Sequence, residues 1–211
     1  MIAALTLRHP LAVGFHLDHA KHEETIRQAL ELGFTSAMFD GSDLPLDKNI
    51  ERSRAVVRLA RNYGAAVEGE VVALNDEDRS GETTAFTQPK DAAHFSQETG
   101  VNLLAVSVGN RHGVYRGELH LDMERLHAIA ELAEYPLALH GCSDIPLDAL
   151  RAAIRLGVRK LNINTEMAQA GAAAAKSSDA GRFDSILPLV TRAMRQTALT
   201  YLMLDDKENA L

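Results

Sequence analysis

The sequence predicts an α/β fold, a parallel βα barrel of the TIM type, on three observations. Short apolar runs alternate with amphipathic stretches along the whole chain, and strand–helix–strand repetition means parallel pairing with right-handed crossovers. Glycines punctuate the repeat: Gly33, Gly64, Gly100 and Gly157 each follow a helical stretch just before a strand, where helices end on a left-handed residue. His19, His112 and His140 each follow an apolar run and lie far apart in the chain. Ligand-type side chains so dispersed converge only in a fold that gathers its strand ends around one centre.

Taken in order, the first strand is predicted over 12–18, ending at Asp18-His19, and the first helix over 22–32. A strand at 35–40 leads to Asp40 and Ser42, followed by a helix at 47–63 and a strand at 65–71. Glu68 and Glu70 on that strand share parity and point to one side, one facing the centre and the other packing in a salt bridge. The polar stretch 72–88 is the one long loop, and loops of that length in compact domains are usually functional. Pro89 suits the first turn of a helix at 89–99. A strand at 103–109 leads to His112, a helix covers 122–133, and a strand at 136–140 ends at His140. Pro146 opens the helix at 146–156, a strand at 159–164 ends in Asn162-Ile163-Asn164-Thr165, and helices at 166–176 and 183–204 follow. Six strands are counted, where a closed barrel of this type has eight, and residues ahead of 12 leave no room for two more.

Length predicts a single domain over 1–211. A hydrophobic share of 46% and a charged share of 24% are those of a soluble globular protein. The net charge of −7 argues against nucleic acid or an anionic membrane as the main partner. Cys142 is the only cysteine, which excludes an intramolecular disulfide framework and favours a cytoplasmic home. No apolar run approaches the ~18 residues of a spanning helix, and the first ten residues are too weakly apolar for a signal peptide.

Three imidazoles with a fourth position open make a catalytic zinc site rather than a structural one. His22, His94, His120 and His127 fall on helices or loops and are read as solvated. His16 shares parity with Asp18, so it either orients that carboxylate or packs in the core. Asp18, beside a metal ligand, is either an acid/base group or a carboxylate that only orients an imidazole. Gly141-Cys142-Ser143 and Asn162 to Thr165 lead from strands into helices. Backbone N–H groups, hydroxyls and helix N-termini there suit a phosphate, although capping alone would also place Ser and Thr at such positions.

As a set these residues resemble the class II, zinc-dependent fructose-bisphosphate and tagatose-bisphosphate aldolase family. The matching motifs are His16-Leu17-Asp18-His19, Phe39-Asp40-Gly41-Ser42, Val67-Glu68-Gly69-Glu70, Gly109-Asn110-Arg111-His112-Gly113, Leu139-His140-Gly141-Cys142-Ser143 and Lys160-Leu161-Asn162-Ile163-Asn164-Thr165. The resemblance runs from about residue 11 to the end, in the family's order. It implies a TIM-type (β/α)8 barrel lacking the first two βα units. It further implies zinc held by His19, His112 and His140, with Glu70 touching the metal in one of its positions. Asp18 would give the proton to the aldehyde oxygen, and Gly113, Gly141, Cys142, Ser143, Asn162, Ile163, Asn164 and Thr165 would hold dihydroxyacetone phosphate. The implied activity is reversible cleavage of a phosphorylated ketose to dihydroxyacetone phosphate and an aldehyde, in a cytoplasmic homo-oligomer.

Beyond the two absent βα units, the sequence departs from the family's pattern in two further places. After Glu70 it reads Val71-Val72-Ala73-Leu74-Asn75-Asp76, where the family has a Leu-Gly start and a paired glycine in a loop that helps bind a monovalent cation and supplies the proton-abstracting glutamate. Glu77 or Glu82 stand in for that glutamate. Asp144 occupies a glycine position of the phosphate loop, where a carboxylate weakens anion binding unless it turns outward, and Arg111 offers compensating donors. Two rivals remain: a degenerate, metal-binding subunit that assembles with a partner, and a zinc hydrolase on a similar barrel. The open flank of the first strand also predicts self-association, with helix 183–204 packing on a neighbour.

Overall fold

The computed structural model describes residues 12–72, 86–113, 120–133, 135–179 and 182–204. Six strands form one parallel sheet in chain order: β1 (His16–Ala20), β2 (Ser36–Phe39), β3 (Ala66–Glu70), β4 (Leu103–Ala105), β5 (Leu137–Leu139) and β6 (Val158–Leu161). Between them run α1 (Glu23–Glu31), α2 (Leu46–Arg61), α3 (Pro89–Thr99), α4 (Met123–Ala133) and α5 (Leu147–Arg155); α6 (Thr165–Lys176) and α7 (Phe183–Leu202) follow. Each crossover returns the chain to the next position of the sheet, so the six strands curl into a half-barrel with helices outside. Gly33, Gly64, Gly100 and Gly157 all take positive φ after their helices, as their spacing predicts.

Strand parity divides the interior. Phe39, Val67, Leu104, Leu137 and Leu139 face the helices and join Ile26, Phe95, Leu126, Ile129 and Leu150 in the main core. Each such fully buried side chain contributes about 1.5–3 kcal/mol. Gly69 on that face is a packing necessity, because a Cβ there would lie 2.7 Å from the Phe95 ring. The opposite face, lining the barrel, holds Met38, Ala105 and Ala138 as a small apolar layer. The register continues it through Met38↔Glu68, Glu70↔Ala105 and Ala138↔Lys160. Charged groups therefore occupy the barrel side, directly beside the apolar layer.

Three strands differ from the sequence expectation by more than two residues at one end: the sixth runs Val158–Leu161 rather than 159–164, and the first and fourth differ for a visible reason. The first lies at His16–Ala20 rather than 12–18 and is irregular: Leu17 pairs with Ala37 and Ala20 with Phe39. Three steps on β1 match two on β2, and His19 sits at φ 47, so this is a bulge. The fourth stops at Ala105 because side chains intercept its backbone. Ser107 N–H donates to Thr87 Oγ1 at 2.9 Å and Val108 N–H to Asn110 Oδ1 at 2.8 Å. His112 thus arrives on a loop seven positions beyond β4, not at a strand end.

The helices α6 and α7 pack on each other, with Gly171 the one buried residue of the pair: a Cβ there would meet Val190 and Met194 at 3.2 Å. Among the described residues no helix is long and apolar enough to cross a membrane.

Candidate metal centre and anion pocket

The bulge in β1 has a direct effect on the site. Alternation would send Asp18 and His19 to opposite faces, but the extra residue lets both line the same cleft. His19 Nδ1 lies 3.1 Å from Asp40 Oδ2 at the end of β2. Asp40 is itself held by Ser42 N–H and Oγ and by Lys21 Nζ at 3.5 Å. His140, fully buried after β5, sets Nε2 2.7 Å from Glu68 Oε1 on β3.

The loop bearing His112 is brought in by two contacts. Asn110 Nδ2 donates to the His140 carbonyl at 3.0 Å. Gly141, at φ 61, lets the Arg111 carbonyl approach so closely that a Cβ would stand 1.8 Å from it. The ligand-type atoms of His19, His112 and His140 then lie within 4.8 Å of one another, as do those of His19, Asp40 and Glu70. The residues the sequence singled out are brought together, and His22, His94, His120 and His127 are exposed elsewhere.

Proton counting tests whether a metal fits. His19 Nε2 faces His140 Nδ1 at 2.9 Å, while the far nitrogen of each ring faces a carboxylate. A neutral imidazole carries one N–H. If each ring gives that proton to its carboxylate, two lone pairs meet across 2.9 Å, which is repulsive unless a positive charge stands between them. A third proton or a metal cation supplies it, and imidazole with carboxylate is a donor set suited to zinc and its neighbours. Glu70 agrees. Burial, with the charge of Asp40 next, pushes its carboxyl up to about 8, and Oε1 finds no hydrogen-bond partner among the described residues.

Electrostatics separate the other acids. Burial works against the charge of Asp18, yet His16, His140, Lys160 and His19 outweigh it and hold that carboxyl well below the usual range. His16, anchored through Nδ1 to Ser36 Oγ at 2.9 Å, places Nε2 between Asp18 at 3.6 Å and Glu68 at 3.4 Å. Glu68 pairs with Lys160 Nζ at 2.8 Å. Of the two glutamates whose roles parity left open, Glu70 belongs to the His19 cluster and Glu68 stands behind His140.

The cleft of about 300 Å³ beside these histidines is lined by Asp18, His19, His112, Gly113 and Gly141, and across from them by Ser143, Asn162, Asn164 and Thr165. Asn164 caps α6 and Thr165 opens it, so a helix N-terminus points at the cleft, a favourable place for an anion. Asn162 Nδ2 reaches Asp18 at 3.4 Å and His140 at 3.3 Å. Two residues of the expected set do not line it. Cys142 turns into the core, its Sγ 3.1 Å from the Leu139 carbonyl and its thiol pushed up to about 12 by burial. Ile163 packs against the core on the other side of the turn. Asp144 does turn outward, exposed at φ 64. Asp40, Asn110 and Lys160 are the residues the sequence reading left without a role. Lys160 was two positions from Asn162 on one face, the signal that would have found it. Glu77 and Glu82 lie outside the described residues.

Fold and site together define a parallel half-barrel with histidines and carboxylates gathered at the carboxyl ends of its strands. A family profile described as fructose-bisphosphate aldolase class-II matches residues 1–208, and the chain belongs to that family. It is 39% identical over 155 residues to the 6-phospho-5-dehydro-2-deoxy-D-gluconate aldolase of Bacillus subtilis, covering 73% of this chain and 53% of that protein. The chain thus spans about half the length of this curated relative. The solved YdjI aldolase of Escherichia coli superposes with a TM-score of 0.85 at 32% identity, covering 95% of this chain and 72% of that one. A fructose-bisphosphate aldolase structure from Campylobacter jejuni shares the fold at 21% identity, with a TM-score of 0.73 over 92% of this chain and 71% of that one.

Proposed function

We propose that this chain is a zinc-dependent aldolase that reversibly cleaves a phosphorylated ketose to dihydroxyacetone phosphate and an aldehyde. The observation that carries the reading is the facing pair His19 Nε2 and His140 Nδ1, 2.9 Å apart, each backed by a carboxylate. His112 lies beside them, and His19 and His112 line a cleft with a helix N-terminus on its far wall, His140 lying buried behind. His19, His112 and His140 would hold zinc, with Glu70 as a further oxygen donor; the ion would supply Lewis-acid polarisation of the ketose carbonyl and hydroxyl oxygens.

The rest of the chemistry falls to the chain. Asp18, ionised on the cleft wall, accepts the hydroxyl proton in cleavage and returns it to the aldehyde oxygen in condensation. Asn162, within 3.5 Å of both Asp18 oxygens, holds that carboxylate in place. Ser143, Thr165 and the backbone of Gly113, Gly141 and Asn164 receive the phosphate, while Cys142 and Ile163 contribute only main chain. The buried, unpaired Cys142 supports a cytoplasmic home. Phe183, Leu187 and Leu202, exposed along α7, support self-association.

An aldol-cleavage assay with and without zinc tests the reading, together with metal analysis of the wild type and of His112→Ala and His140→Ala. About one zinc per chain, lost in both variants, with turnover that follows the metal, is the expected result. Zinc without turnover would favour the non-catalytic subunit instead, and full metal retention by both variants would sink the site.

A further inference from the structure

We infer that Glu68 is a positioning residue for the metal centre: it fixes the His140 ring in the tautomer that turns the Nδ1 lone pair toward His19 and the cleft, and Lys160 clamps it there. This rests on the metal-binding reading of the histidine cluster. The barrel-side positions of four strands meet on this one carboxylate. Glu68, 1% exposed, comes from β3, and its Oε1 lies 2.7 Å from His140 Nε2, beyond β5. Its Oε2 lies 2.8 Å from Lys160 Nζ on β6 and 3.4 Å from His16 Nε2 on β1.

A carboxylate has only acceptors to offer, so contact with Glu68 requires the His140 proton to sit on Nε2. Nδ1 is then the lone pair, on the side where His19 stands. Lys160 neutralises Glu68, which explains why this carboxylate backs a ligand whereas Glu70, with no cation as close among the described residues, belongs to the cluster itself. A plain Glu68–Lys160 ion pair would make no demand on the ring of His140. That difference separates a positioning role from a purely structural one.

The deciding measurement is nitrogen-15 NMR of the His140 ring in the whole chain after dialysis against chelator. The wild type should carry its ring proton on Nε2; a proton on Nδ1 would overturn the inference without any variant. Zinc affinity, read by competition with a chromophoric chelator, should weaken about 10–100-fold in Glu68→Ala and recover most of that loss in Glu68→Gln, whose amide oxygen still accepts from Nε2. Unchanged affinity in Glu68→Ala would also overturn it. Should Glu68→Ala fail to fold, Lys160→Met unclamps Glu68 so that its carboxylate can leave the ring, and the two ring tautomers should then mix. A single Nε2–H tautomer there would remove Lys160 from the proposal. A wild type that carries the Nε2 proton yet binds no zinc would refute the metal reading alone, so the two failures are distinguishable.

Discussion

Asp18 and Glu70 are both acids on the barrel side, yet their surroundings push them in opposite directions, and that contrast sets what each substitution should do. Asp18→Asn keeps the shape and the Asn162 contact but loses the proton acceptor. Turnover should fall about 10²–10⁴-fold with zinc content unchanged and, because His16, His140 and Lys160 favour the charge of Asp18 in the folded chain, a modest drop in melting temperature; an active variant would remove Asp18 from the chemistry. Glu70 should show itself in stability. With zinc chelated, its folded carboxyl titrates at about 8, whereas the unfolded chain ionises in the ordinary carboxylate range. Between the two the folded state holds an extra proton, so stability should fall from about pH 5 to about pH 8, by up to ~1.4 kcal/mol per pH unit. His19, raised chiefly by its hydrogen bond to Asp40, acts in the same direction. Glu70→Gln should flatten much of the slope in denaturant titrations, and a profile that rises across this window would contradict the burial argument. The three histidines were legible because each follows an apolar run. That the side chains of Cys142 and Ile163 turn to the core was not legible, because Gly141 and the turn after β6 end the two-residue alternation that sequence reasoning relies on. Nor could the sequence choose between Glu68 and Glu70: the deciding neighbour, Lys160, lies on a strand three places away in the sheet.

At the scale of elements, helices were easier to place than strands. The predicted helix 89–99 coincides with α3, and the others differ by two residues or fewer at each end, since Pro and Gly mark helix ends locally. Strand ends depend on partners: Thr87 and Asn110 cut β4 short, and pairing with β2 puts the bulge in β1. The loops after β4 and β5 cross at Gly141. Gly141→Ala would drive a methyl group into the Arg111 carbonyl at a positive φ that L-residues avoid at about 1–2 kcal/mol. The loops should separate, His112 should leave the cluster, and zinc should be lost. A Gly141→Ala protein with full zinc would show that the loops meet by other means. Farther out, the Tyr201 hydroxyl on α7 donates to Glu166 Oε2. Glu166 Oε1 in turn accepts from Asp144 N–H at 3.2 Å in the loop after His140. Tyr201→Phe should cut this tie, weakening binding of a dihydroxyacetone phosphate analogue with little effect on zinc. Equal affinity in calorimetry would mean that α7 does not brace the loop.

For the whole molecule, a cation that binds the folded histidine cluster and not the unfolded chain stabilises the fold by mass action, about 4 kcal/mol at a thousand-fold excess over Kd. Chelation should therefore lower the melting temperature of the wild type and leave that of His140→Ala unmoved. Among the described residues the sheet has two margins, β1 and β6, and no strand-to-strand hydrogen bonds join them. Asp18 from one margin nevertheless reaches Asn162 beyond the other, and His19 and His140 meet beside them. The site acts as a clasp on an otherwise open band. When ligand closes it, the backbone amides of β1 and β6, which share no ladder, should slow their exchange with solvent deuterium in step. Those of β3 and β4, in the middle of the band, should barely respond. Occupancy of the cleft would then be readable from the rims of the sheet, without any assay of turnover.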